Sequence, residues 1–316
     1  MTANNNIVVL ALNPALDVGY ELPQLIADRK VAADKTYYHP GGNGINISRG
    51  LAELGMPLQC GSVLGGVSGD VVLRLLGDSL GENHRIFTVD DETRLNVTLL
   101  QQNPPGQYEV DSRGPEIPAQ LLDEITEWVL ENSASGYTVL SGSLPPGVPD
   151  NYYRRLAESI RGQGGRAVVE AHGAVLTEVL EASPWLLRLN QYALEMSINR
   201  RMESIEDIAA AARELQQRGI ETVCISLGGR GAVLVDADGS YHCSAPRVRV
   251  HSTVGCGDSL VAGLVTAASR GGDAGDMLRL GVTCGSATAS HPGTELFTRA
   301  EIEDSNYELE LTTLDL

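Results

Sequence analysis

The sequence predicts an α/β protein: a doubly wound, mostly parallel sheet flanked by helices on both faces, with a small β-sheet lid set apart from it. Three observations predict this. From residue 121 onward, short apolar runs alternate with segments of helical period. Each run ends in glycine or polar residues, as strands delivering to one rim of a parallel sheet would. Two Thr/Tyr/Val-containing stretches, about 17–38 and 94–111, carry turn signals such as Pro104-Pro105-Gly106 and stand outside that alternation. With 316 residues and 42% hydrophobic content the chain can bury a sizeable core, and 1–316 reads as one domain.

Taken in order, 7–12 is an unbroken apolar run typical of a strand buried on both faces, and Asn13-Pro14-Ala15-Leu16-Asp17 is its exit loop. Asp17 therefore stands where an open parallel sheet binds ligands, although a loop-capping Asp is the plainer alternative. In the loop 39–49, Gly41, Gly42 and Gly44 allow backbone amides to face a ligand, with Asn43 among them and Asn46 on the first helical turn. It is not the dinucleotide fingerprint, because it does not follow the first strand and the glycine spacing differs. A strand over 59–64 and a helix over 69–80 come next, and Thr93-Arg94-Leu95-Asn96-Val97 opens the second lid stretch. An acidic protein needs a guanidinium to hold a phosphate, which makes Arg94 a candidate.

Helices are expected over 121–131, 152–163 and 205–218. Strands are expected over 137–140, 167–169, 186–189 and 222–226, ending at Ser141–Gly147, Glu170, Asn190 and the Leu227–Gly231 turn. A hairpin is expected for 232–235 and 240–243 around Asp238-Gly239. Two helices, 274–280 and 282–289, precede His291-Pro292-Gly293-Thr294, and 301–316 is an acidic tail without a clear pattern.

The stretch 250–263, VHSTVGCGDSLVAG, carries the chemistry. A β-like run over 247–250 enters a turn of small residues, and Leu260, Val261, Leu264 and Val265 read as a buried helix. Gly255 and Gly257, with Cys256 between them, would present consecutive amides at a helix start, a concave anion site that the helix dipole reinforces. Asp258 beside it could take a proton from an attacking hydroxyl while the amides hold a transferred phosphoryl group. A turn with an Asp cap is the bland alternative. A thiol among such amides should have a lowered pKa and be reactive, and a small buried residue filling an alanine-sized space is the equal alternative for Cys256.

Net charge of −18 and a pI near 4.7 argue against nucleic-acid or anionic-membrane partners. Cys60, Cys224, Cys243, Cys256 and Cys284 are odd in number and widely spaced, so neither a disulfide framework nor a zinc site is indicated. With no signal-like start or membrane-length apolar run, a cytoplasmic location is expected.

Four blocks, Asn13–Asp17, Gly41–Asn46, Ser141–Gly147 and Thr253–Asp258, together resemble the phosphofructokinase B branch of the ribokinase-like sugar kinases. The resemblance implies a ribokinase-like kinase domain that uses ATP and Mg2+, and a homodimer formed through the lid. It implies ATP-dependent transfer to a hydroxyl of a phosphorylated ketohexose: fructose 6-phosphate, fructose 1-phosphate or tagatose 6-phosphate. By matching position, Asp258 would be the general base and Gly255, Cys256 and Gly257 the anion hole. Asp17, Gly41, Gly42, Asn43, Asn46 and Ser143 would bind the sugar, and Arg94 the phosphate it carries. Asn190, Ser226, Gly228, Gly231, Gly285 and Ser286 would border the nucleotide.

Departures accompany the likeness. Relatives usually carry Lys-Pro-Asn-x-x-Glu where this chain has Arg188-Leu189-Asn190-Gln191-Tyr192-Ala193, so the glutamate is gone. Asp is common where this chain has Glu170, and Lys or Gly where it has Asn43. Losing an outer carboxylate lowers turnover about 10–100-fold as a rule. Glu170, through indirect metal contact, and Glu195 are the candidates to compensate, and no metal ligand is assigned. The competing reading is a sugar-phosphate or nucleotide sensor that kept the fold and lost efficient catalysis.

Overall fold

The computed structural model describes residues 6–315. In chain order its elements are β1 (Ile7–Ala11), β2 (Ala15–Leu22), β3 (Lys35–Gly41), α1 (Asn43–Glu53), β4 (Leu58–Gly65), α2 (Gly66–Leu76), β5 (His84–Val89), β6 (Arg94–Gln102) and β7 (Pro105–Asp111). There follow α3 (Ala119–Asn132), β8 (Tyr137–Ser141), α4 (Tyr152–Gly162), β9 (Arg166–Glu170), α5 (Gly173–Val179), β10 (Leu186–Asn190), α6 (Gln191–Ile198), α7 (Ile205–Gln217) and β11 (Thr222–Ser226). The chain closes with β12 (Ala232–Val235), β13 (Ser240–Cys243), α8 (Cys256–Ser269), α9 (Ala274–Thr288), α10 (Arg299–Glu303) and β14 (Leu311–Thr313).

The large sheet runs β14-β13-β12-β11-β10-β9-β8-β1-β4-β5. From β11 to β5 neighbouring strands are parallel, and β12, β13 and β14 extend it antiparallel. Their apolar runs suit this place, because a parallel strand is covered by helices on both faces and needs no polar alternation. One face packs on α1, α2, α8 and α9 through Ile47, Leu51, Val72, Val261 and Leu278; the other packs on α3, α4, α5 and α7 through Ile125, Leu156, Leu176 and Ala212. The order reverses at β1, which lies between β4 and β8, and ligands bind beyond the carboxyl ends of strands at such a switch point.

The lid sheet runs β3-β2-β6-β7, inserted after β1 and again after β5. Its outer pairs are antiparallel and its central pair β2–β6 is parallel, so the lid is a mixed sheet. No helix among the described residues is long and apolar enough to cross a membrane. The five cysteines are free.

Several local expectations change. Residues 247–250 form no strand, being unpaired in either sheet. Residues 274–288 form one helix, because Gly281 continues it and lies against Leu260 of α8. Residues 311–313 of the acidic tail pair with β13 as an edge strand. Helix α2 begins at Gly66, three residues before the expected start, and Glu92 accepts from the amides of Val67 and Ser68 there.

The helix bearing Asp258 is fixed from behind by α9. A methyl on Gly263 would lie 2.6 Å from the Cα of Gly281, so the two backbones are already in contact. We predict that Gly263→Val lowers stability by about 1–3 kcal/mol, the usual cost of overpacking, as measured by urea unfolding.

Candidate active site

The site is assembled by α8, whose first residues close a turn at Gly255 (φ +78°), a left-handed conformation that disfavours a side chain. Asp258 falls in the first helical turn and is buried. Its two oxygens are held by two side chains of α1: Asn43 Nδ2 donates to Oδ1 at 2.9 Å and Asn46 Nδ2 to Oδ2 at 2.8 Å. Burial pushes the Asp258 carboxyl up to about 7, the charge of Glu170 adds to the rise, and Asn46, Arg188 and Asn43 oppose it.

Beneath this carboxylate a hydrogen-bonded row crosses four adjacent strands. Ser141 Oγ at the end of β8 donates to Glu170 Oε2 at 2.9 Å, and Glu170 at the end of β9 forms an ion pair with Arg188 of β10. Arg188 Nη2 in turn donates to Ser226 Oγ on β11 at 2.8 Å. The strand register puts Ser141 beside Glu170 and Glu170 beside Arg188, so the row follows from the sheet itself. A Cβ on Gly257 would lie 2.5 Å from Arg188 Nη2, so the guanidinium lies against the first turn of α8.

A second cluster lies where the lid meets the sheet. Asp17 of β2 is buried, accepts from Asn96 Nδ2 at 3.1 Å and is bonded by Thr294; a Cβ on Gly41 would collide with its carboxylate. Burial raises the Asp17 carboxyl to about 6, against the pull of those bonds and of Arg94. Arg94 is buried; its Nε donates to Asn13 O and its Nη1 to Ser112 O, both at 3.1 Å. Ser143 accepts from Asn13 Nδ2 at 2.9 Å. Gly42 precedes α1 as its cap residue.

Buried polar atoms without partners gather in the same region. Among the described residues they are Asn13 Oδ1, Asn96 Oδ1, Arg188 Nε and Thr266 Oγ1, and all but the last belong to the two clusters. An unmet buried hydrogen-bonding group costs about 1–3 kcal/mol, so these atoms suit a site completed by ligand.

The nucleotide-side candidates are less connected. Ser226 joins the row, but Asn190 turns its Oδ1 to the amide of Ala193 as the cap of α6. Gly228 opens a short 3-10 turn, and Gly231 lies against the backbone of Cys243 and Ala245. In α9, Gly285 approaches the carbonyl of Cys256 and Ser286 is buried. The expected low thiol pKa at Cys256 is overturned: burial and the neighbouring Asp258 push it up to about 12, outweighing the helix-start amides. Asn96, Thr294 and Arg188 were not among the sequence candidates. All three lie inside stretches already quoted, Thr294 in the turn His291–Thr294, but none was given a site role.

The sequence matches the pfkB family of carbohydrate kinases over residues 8–300. The chain belongs to this family. It is 33% identical to the ATP-dependent 6-phosphofructokinase isozyme 2 of Escherichia coli K12 over 294 residues, covering 92% of this chain and 94% of that one. It is 30% identical to the 1-phosphofructokinase of Borreliella burgdorferi, covering 90% and 91%. A crystal structure of Escherichia coli phosphofructokinase-2 in complex with substrates and products superposes with a TM-score of 0.88 at 30% identity, covering 95% of this chain and 97% of that one. This pfkB chain is accordingly a kinase with the ribokinase-like fold.

Magnesium, which the pfkB resemblance implies, can be tested against the donor set. Among the described residues no group of three His, Cys, Asp or Glu could hold a metal ion. Glu170 is committed to Arg188 and Ser141, and position 193 is alanine. Glu195, the other proposed substitute, accepts from Gln191 and the amide of Met202. These residues do not fit a directly coordinated ion.

The raised Asp258 carboxyl has two consequences of opposite sign. A carboxyl serving as proton acceptor must be ionised, so if Asp258 has that role kcat/KM rises with pH through about 7. For stability, the folded state binds the proton that the unfolded chain releases near 3.8, so stability from this group is lost as pH rises from about 4 to beyond 7. Wild-type Tm should therefore fall more between pH 5.5 and 8 than the Tm of Asp258→Asn, as followed by thermal melts.

Proposed function

We propose that this chain transfers the γ-phosphoryl group of ATP to a hydroxyl of a phosphorylated ketohexose, namely fructose 6-phosphate, fructose 1-phosphate or tagatose 6-phosphate. The observation that carries the proposal is the buried Asp258 carboxylate, held by two asparagines in the first turn of a helix entered through the left-handed Gly255. The acceptor oxygen bonds to the γ-phosphorus as the bond from that phosphorus to the β,γ-bridging oxygen breaks. The hydroxyl proton passes to Asp258, and ADP leaves with the electron pair.

Asp17, Asn96 and Asn46 suit the sugar hydroxyls, the first as acceptor and the amides as donor or acceptor. Arg94 has two nitrogens on carbonyls, which fix its plane and leave Nη2 for the substrate phosphate. The named relatives are an ATP-dependent 6-phosphofructokinase and a 1-phosphofructokinase, so the position of the existing phosphate is open between the two. With no carboxylate cluster for it among the described residues, magnesium would come with the nucleotide phosphates and its own water shell. The sensor reading rests on Ala193 and on the commitment of Asn190 to its own helix.

Coupled assays with the three sugar phosphates decide between enzyme and sensor: the enzyme consumes ATP with at least one of them, and binding without ADP release favours the sensor. Asp258→Asn should lower kcat at least ~100-fold while ATP still binds. Near-normal turnover in that variant would remove the base assignment.

We also propose a homodimer through the lid, formed in the cytoplasm. Strand pairing puts Tyr38, Val18, Val97 and Val110 in one cross-strand row, on the face opposite Asp17. Tyr38, Leu95, Tyr108 and Val110 of that face are exposed. A second copy covering them would remove apolar area from water. Val110→Asp is expected to shift the protein to monomer in sedimentation velocity, and an unshifted profile would place the contact elsewhere.

A further inference from the structure

We propose that Asn43 is a positioning residue that holds Oδ1 of Asp258 while the site is empty and yields that oxygen to the acceptor hydroxyl when the sugar phosphate binds. This rests on the phosphoryl-transfer reading above and deepens it.

The two amides on Asp258 are not equivalent. Asn46 is 2% exposed, its bond to Oδ2 is buried, and Arg49 Nη1 donates to its Oδ1 at 3.5 Å, so both ends of that amide are engaged. Asn43 is only half-buried, and among the described residues its side chain is held by one bond, the 2.9 Å contact to Oδ1. It heads α1 one turn before Asn46, on the same face, and lies beside Gly142 just past β8. An acceptor hydroxyl must reach an oxygen of the base. Oδ2 stands behind a buried, doubly held amide and Oδ1 behind a half-buried, singly held one, so the way in leads past Asn43.

The exchange keeps the carboxylate satisfied in both states. An N–H donor on a buried anion is replaced by an O–H donor, so no bond is lost as the sugar arrives, and the hydroxyl proton then points at the oxygen that takes it. Without Asn43 the empty site would leave Oδ1 short of a donor, which favours the protonated form of Asp258. The arriving hydroxyl would then add a bond instead of swapping one. The substitution leaves in place the titratable groups that face Asp258, namely Glu170 of β9, Arg188 of β10 and Cys256 of α8.

The test uses Asn43→Ala and, for contrast, Asn46→Ala, with circular dichroism to report folding; alanine suits a helical turn. Coupled assays from about pH 5.5 to 9 give kcat and kcat/KM, the first reporting the loaded enzyme and the second the empty one. In Asn43→Ala the acid limb of kcat/KM should move up by about half a pH unit or more, with the kcat limb unmoved. At about pH 9 its kcat should stay within about threefold of wild type while the KM for the sugar phosphate falls about three- to tenfold, the worth of one hydrogen bond. Asn46→Ala should move both limbs, because its amide stays on Oδ2 throughout. The ionisation of the sugar phosphate is common to all three enzymes and drops out of the comparison. A raised KM in Asn43→Ala, or limbs of kcat and kcat/KM that move together or not at all, overturns the proposal. If wild type phosphorylates none of the three sugars, the function reading fails, and calorimetry with fructose 6-phosphate still judges Asn43. Affinity gained about threefold or more in Asn43→Ala then supports the exchange, and affinity unchanged or lost overturns it. Wild type that binds none of the three sugars overturns both.

Discussion

The site depends on a carboxylate kept away from water and near other charges. Asp258 is buried at the start of α8, and what keeps it usable is the pair of amide donors from Asn43 and Asn46. Those amides oppose the cost of burial without neutralising the group, as an adjacent arginine would. A base bonded directly to a guanidinium would ionise easily and accept a proton poorly. Here the guanidinium is one residue away, against Gly257, and is itself balanced by Glu170. Charge is thus divided: a weakly solvated carboxylate on one side of the loop, a compensated cation on the other.

This division follows from the fold. Helices α1 and α8 pack side by side on one face of the sheet, which brings Asn43 and Asn46 to a residue more than 200 positions later in the chain. The row beneath comes from the carboxyl ends of β8, β9, β10 and β11, which are consecutive in the sheet as well as in the chain. The lid adds Asp17, Asn96 and Arg94 from strands β2 and β6, whose register brings Asp17 opposite Asn96. Three groups of side chains, from separate parts of the chain, therefore meet at one rim, where the parallel strands all end.

Much of this was legible in the sequence where the determinants are local. The apolar runs of β1, β8 and β11, the glycines before α8 and the position of Asp258 in its first turn depend on neighbours within a few residues. Where partners lie across strands, the sequence was silent or misleading. Arg188 read only as a departure from a motif, since its role needs Glu170 18 residues away and Ser226 38 residues away. Gly281 read as a break, but contact with α8 keeps α9 continuous. Strand β14 owes its existence to pairing with β13, which no three-residue pattern announces. At Cys256 two effects compete, and desolvation outweighs helix-start amides once the residue is covered.

Arginine at position 188 is not informative merely because relatives carry lysine there. All of the chain's 23 basic residues except Lys30 and Lys35 are arginine, so an arginine is what this composition would place at almost any cationic position. What composition does not dictate is the arrangement. An arginine that only balanced a neighbouring acid would be content at a surface, where most of this chain's other ion pairs have both partners well exposed. Arg188 is instead buried and joined to two strands, with its Nη atoms against Gly257 and its Nε without a partner. Its planar fork can hold Glu170 and Ser226 with two nitrogens and still offer a third, which a lysine ammonium on a flexible stem cannot do in fixed geometry. The substitution common to the whole chain thus gains a specific consequence at this one position, because here the sheet supplies a rigid frame for it.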